Sequence, residues 1–184
     1  MKTDLNHSAT LNNINKKIQS EESCASSCKT WQNFFGKKIV LTHLCFDILH
    51  HGHIEYLAKA KDLGHALIVV IKSDEFIKST SILRQNEQTR AALLASMLFV
   101  DGVVIFNEET PANLIAFLNP NILVQSSYFD ANETNAENEK FISGSNVVRE
   151  NGGEVITIDL IDDSSLTKIR EKIKTICPEL YKQA

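Results

Sequence analysis

A chain of 184 residues with a net charge of −4 and 43% hydrophobic residues is long enough to bury a core without disulfide or metal staples. Its acidic balance excludes the broad basic surface that would hold nucleic acid or an anionic membrane by charge alone, so any phosphorylated ligand must be held by a local site. Residues 1–7 lack an apolar signal core and no run approaches bilayer-spanning length; the chain is read as cytoplasmic, with neither nucleic acid nor membrane as partner.

Residues 1–30 are rich in Asn, Ser, Lys and Glu and poor in large apolar groups. Ordering such a segment costs more entropy than its burial returns. It is therefore expected to be a polar, flexible N-terminal extension with room for one short helix, leaving 31–184 as the domain. Trp31, Phe34 and Phe35 would dock a turn of helix before Gly36. Cys24 and Cys28 sit four apart, but no second Cys/His pair has ligand spacing, so no metal site is expected. Cys45 and Cys177 read as small apolar residues in a reducing compartment.

From Lys37 the pattern alternates. A β-rich run at 39–41 precedes helical spacing over 54–63, which Gly64 is placed to end. The unbroken apolar run 67–71 suits a parallel strand covered on both faces. A helix over 87–99 and a strand at 103–106 follow. Thr110 and Pro111 form a cap-and-first-turn pair opening a helix to Leu118, and 122–124 is the next strand. Residues 126–138 are polar and read as a long loop, the kind that carries function. Helix to Glu150, a stop at Asn151-Gly152-Gly153, a strand at 155–158 and a Ser164-capped helix ending before Pro178 complete the chain. Strands alternating with helices predict an α/β fold, one doubly wound Rossmann-like parallel sheet of about five strands.

Such sheets bind ligands beyond the carboxyl ends of their strands, and the first strand-to-helix passage here is 42–53. It holds His50-His51-Gly52-His53. Two imidazoles three apart at a helix start can share one pocket with exposed N–H groups and the positive end of the helix dipole. That environment suits a phosphate, and suits still better the extra charge of a phosphoryl-transfer transition state. Gly52 leaves room for a close approach. A single His near a strand end is usually surface or core, whereas His-x-Gly-His at this junction is rare by chance. His50 and His53 are the candidate catalytic pair, His51 a solvent-facing filler and His43 undecided. Neither GxxxxGK[ST] nor GxGxxG occurs, which leaves no P-loop or dinucleotide fingerprint.

The stretch Phe46-Asp47-Ile48-Leu49-His50-His51-Gly52-His53-Ile54, followed by Tyr56-Leu57 and Leu63-Gly64, resembles the cytidylyltransferase-like nucleotidyltransferases. Ser73-Asp74-Glu75, Val100-Asp101, Glu109-Thr110-Pro111, Asn119-Pro120 and Gly152-Gly153-Glu154-Val155 extend the likeness over 37–173, nearest to the heptose-1-phosphate adenylyltransferase domain of ADP-heptose synthesis. The resemblance implies that a nucleoside monophosphate, AMP above all, passes from an NTP to a phosphorylated sugar such as a heptose 1-phosphate, with pyrophosphate leaving. It implies Mg²⁺ entering with the NTP, His50 and His53 stabilising the transferred phosphate, and a homodimer. Leu44, Cys45, Phe46, Asp47, Gly52, Gln125, Ser164, Ser165 and Thr167 would bind the nucleotide. Lys78, Arg84 and Arg90 are candidate triphosphate contacts.

Several positions depart from the family pattern. Leu44 stands where the family has Gly. Gln125-Ser126-Ser127-Tyr128-Phe129 replaces Lys-Gly-Gly-Asp-Tyr, removing a cation, and Ser164-Ser165-Leu166 replaces Ser-Thr-Thr. Lost polar contacts worth ~1–3 kcal/mol each would cost orders of magnitude in rate. A catalytically degenerate nucleotide-binding or scaffold relative is the alternative.

Overall fold

The computed structural model describes residues 8–44, 46, 48–76, 85–160 and 175. Elements run α1 (Ala9–Asn15), β1 (Ile18–Gln19), α2 (Glu21–Phe35), β2 (Ile39–His43), α3 (His51–Asp62), β3 (Ala66–Lys72), α4 (Glu87–Ala95), β4 (Gly102–Phe106), α5 (Ala112–Leu118), β5 (Ile122–Ser126), α6 (Ser145–Glu150) and β6 (Glu154–Ile158). The six strands form one sheet in the order β1-β4-β3-β2-β5-β6, parallel throughout. The α/β fold and the five strands expected from the sequence are present, and β1 adds a sixth.

Alternation along the strands sorts the core into two layers, since successive side chains point to opposite faces. Ile39, Leu41, Ile68, Val70 and Leu123 pack against α2, α5 and α6, whereas Val40, Leu67, Val69, Ile122 and Val124 pack against α3 and α4. Both faces of the central strands are covered, which is why β3 reads as an unbroken apolar run.

Residues 8–35 carry two helices and an edge strand, more than the one short helix expected there. Ser8 caps α1 through Leu11 N–H, and Ser20 caps α2 through Ser23 N–H. Glu21 and Glu22 sit in the first turn of α2, where the helix dipole favours them, and Gly36 closes the helix at φ 61°. Cys24, Ala25 and Cys28 then fall on one stripe and are buried in the core. The two thiols are thus packing residues of α2. β1 pairs with Val103 and Val104 of β4, and Lys17 fixes the edge through its carbonyl to Val103 N–H (2.7 Å) and its ammonium to Met97 O. Composition concealed this because three small buried residues and two strand residues anchor an otherwise polar segment.

The helix expected over 87–99 ends at Ala95, and α6 is confined to Ser145–Glu150. The polar loop after β5 extends to Gly144. It is held down by Phe129 packed on the core and by Arg149 donating to Ala131 O. The expected helix from Ser164 lies outside the described residues.

Candidate functional site

The order of strands reverses at β2, with β3 and β4 on one side and β5 and β6 on the other. Two crossovers leave in opposite directions there, which opens a crevice beyond the carboxyl ends of β2 and β5. Gln125 bridges the two strands on one side of that point, its amide donating to His43 O at 2.7 Å.

On the other side, the chain leaves β2 through Leu44 and turns at Phe46, whose φ of 47° lies in the left-handed region. A bulky residue there costs roughly 1–3 kcal/mol and persists only where its surroundings hold it. Phe46 is 2% exposed, and its ring centre lies 5.3 Å from that of His53. The buried aromatic thus backs the imidazole while its backbone makes the sharp turn into α3.

His50 is the N-cap of α3 and His53 closes the first turn. Their rings lie 3.8 Å apart, centre to centre. The His50 N–H donates to His53 Nδ1 at 3.4 Å. A neutral His53 that accepts at Nδ1 carries its proton on Nε2, which makes Nε2 the donor. Burial, with His50 as a second cause, lowers the His53 pKa to about 4, so the ring is neutral at pH 7. One turn further, Tyr56 and Thr42, both fully buried, share a 2.7 Å hydroxyl contact that ties α3 to β2. Gly52 is buried inside the first turn of α3, and His51 is exposed and paired with Glu55 across one turn.

Leu44, which stands where the family pattern has Gly, packs against the core layer under α3 and α4. Gln125 is 1% exposed and belongs to the opposite side of the crevice. Of the three candidate triphosphate contacts, Arg90 alone lies among the described residues. It is 0% exposed, pairs with Asp74 at 2.8 Å and donates to Lys72 O and Gln85 O, so it acts as an internal strut. Asp74 and Glu87 accept reciprocally from each other's backbone N–H groups beside it. Cys45, Asp47, Lys78, Arg84, Ser164, Ser165 and Thr167 lie outside the described residues.

Lys72 escaped the sequence reading, which left His43 undecided. Lys72 ends β3 and His43 ends β2; with Leu44 and Gln125 they line a cavity of about 360 Å³ on the α5 and α6 side. The available signal was Lys72 at the very end of an apolar run, the carboxyl end where such sheets bind ligands. No helix among the described residues is long and apolar enough to cross a membrane.

Residues 44–172 match the cytidylyltransferase-like family model. The chain is 44% identical over 162 residues to the bifunctional protein HldE of Campylobacter jejuni strain RM1221, which covers 86% of this chain and 32% of that protein. It is 40% identical over 144 residues to the bifunctional protein HldE of Haemophilus influenzae strain PittGG, covering 77% of this chain and 29% of that one. The chain therefore spans about a third of the length of these curated relatives. Among solved structures it is similar to a lipopolysaccharide core biosynthesis protein from Thermoplasma volcanium, with a TM-score of 0.54 and 26% identity over 69% of this chain and all of that one.

Proposed function

Since the chain belongs to the cytidylyltransferase-like family, we propose that it transfers a nucleoside monophosphate, AMP first of all, from an NTP to a phosphorylated sugar. An acceptor phosphate oxygen attacks the α-phosphorus, the bond from that phosphorus to the bridging oxygen breaks, and pyrophosphate leaves. The observation that carries the reading is the His50–His53 stack at the start of α3, backed by Phe46.

The chemistry asked of the protein is positioning and charge stabilisation, with no covalent intermediate. A neutral His53 offers Nε2–H to an oxygen of the α-phosphate, and the α3 dipole adds its positive end. As the five-coordinate transition state gathers negative charge, both contributions strengthen relative to the ground state. Mg²⁺ belongs to this reading as part of the NTP substrate and screens its phosphates. A homodimer in the cytoplasm is part of the same reading.

The test is pyrophosphate release by purified protein supplied with Mg²⁺, each of the four NTPs and a panel of sugar phosphates. Turnover is expected with ATP, and His53→Ala is expected to lower kcat by about 10²–10³, as removing one transition-state donor does. Absence of pyrophosphate across the whole panel, or an unimpaired His53→Ala, would overturn the proposal.

A further inference from the structure

The cavity on the α5 and α6 side has no part in the chemistry assigned to His50 and His53. Its wall includes Leu44, Phe106, Phe129 and Phe141, so it is largely apolar. Lys72 also lines that wall; the residue is half-buried, and its ammonium donates to Glu109 O at 2.6 Å on the exposed side. An ammonium has three donors and the carbonyl satisfies one. No carboxylate among the described residues forms an ion pair with Lys72; the nearby Glu109 contributes its carbonyl and is itself exposed.

Two more polar groups lie in the same wall without partners. Gln125 spends its amide N–H on His43 O, which leaves Oε1 shut off from water with no hydrogen-bond partner among the described residues. His43 Nε2 is in the same condition, within a residue that is half-buried as a whole. Buried polar atoms are seldom left unmade, because each carries its full desolvation cost. Two such atoms and one ammonium with donors to spare around the same cavity describe a site whose missing partner is a ligand.

We propose that this cavity is an anion subsite in which Lys72 holds a phosphate monoester group, with Gln125 and His43 engaging hydroxyls or oxygens beside it. The resemblance drawn from the sequence puts a lysine at Gln125, and here that position is neutral. Lys72 returns a positive charge to the same cavity from the neighbouring side, out of β3 in place of β5. In this proposal Lys72 is the residue that selects a charged acceptor over its uncharged parent. This deepens the proposed function and rests on it for the word acceptor; the binding of phosphate at Lys72 stands without it.

The experiment is imidazole-detected NMR on the full chain at pH 7, titrated with inorganic phosphate as the probe. Saturable shifts at His43 are expected, weakened about tenfold or more in Lys72→Gln and restored in Lys72→Arg. The glutamine variant keeps a donor for Glu109 O, and Lys72→Arg keeps the charge, so a fold defect and a charge effect separate. In turnover assays Lys72→Gln is expected to raise the acceptor KM more than it changes the NTP KM. Shifts confined to His53, or shifts at His43 that survive Lys72→Gln undiminished, would overturn the subsite while leaving nucleotidyl transfer intact. Saturable Lys72-dependent shifts without any pyrophosphate release would support the subsite and overturn the transfer reaction.

Discussion

Tyr56→Phe removes one oxygen from a hydroxyl pair that is 2.7 Å apart and fully buried on both sides. The substitution deletes no carbon, so it opens no cavity of methylene size. What it does is strand the Thr42 hydroxyl, whose unmatched desolvation costs about 1–3 kcal/mol. Thr42→Val strands the phenol in the same way. With both changes the pair becomes apolar on both sides, and the double variant is expected to cost at least ~1 kcal/mol less than the sum of the singles. A domain of this size is stable by only about 5–15 kcal/mol, so urea denaturation at pH 7, fitted with a common slope, resolves the cycle. Single variants within ~0.3 kcal/mol of the parent, or strict additivity in the double, would refute the account of this tie. The contact matters because it anchors α3 one turn beyond His53.

Acid should destabilise the fold in a defined window. Burial lowers His43 and His53 to about 4, whereas unfolded histidine titrates near ~6.5. Between those values the unfolded chain binds more protons, so this contribution is complete above the unfolded pKa and is lost as pH falls toward 4. It is of order 1–3 kcal/mol per histidine, smaller for His43, which is less buried than His53. Urea midpoints from pH 7.5 to 4.5 should flatten in a His43→Gln/His53→Gln double variant; an unchanged slope would count against both assignments. Asp74→Ala leaves the buried Arg90 guanidinium without its counter-charge and is expected to cost about 2–4 kcal/mol, below the full buried-pair range because Asp74 is partly solvated. ATP affinity measured on the folded variant should be unchanged, and a large loss would return Arg90 to the triphosphate.

The positions of β2 to β5 were legible because a parallel sheet covered on both faces demands continuous apolar runs, and 67–71 and 122–124 have no other economical use. The His-x-Gly-His spacing was legible for a local reason: residues three apart at a helix start share a side whatever the rest of the chain does. Departures from the family pattern were also visible residue by residue, Leu44 and Gln125 among them. Their consequences were not, because each depends on groups distant in sequence. Leu44 is harmless or obstructive according to which layer it packs against, and Gln125 acquires a meaning only beside His43 and Lys72, 82 and 53 positions away along the chain.

The N-terminal segment shows the same division. Its polar composition is correctly read, yet Cys24, Ala25 and Cys28 on one stripe of α2 find a sheet already covered on its other face. Burial of an amphipathic helix is decided by the surface offered to it, not by its own average hydropathy. The sequence by itself determined the strand ladder and the paired imidazoles, since both follow from short-range periodicity. Only the tertiary structure decided that Arg90 is a strut and that Lys72 and the unpartnered atoms of His43 and Gln125 share one cavity. Charge and hydrogen bonding act through distance in space, and the crossovers of a doubly wound sheet bring together residues that the chain keeps far apart.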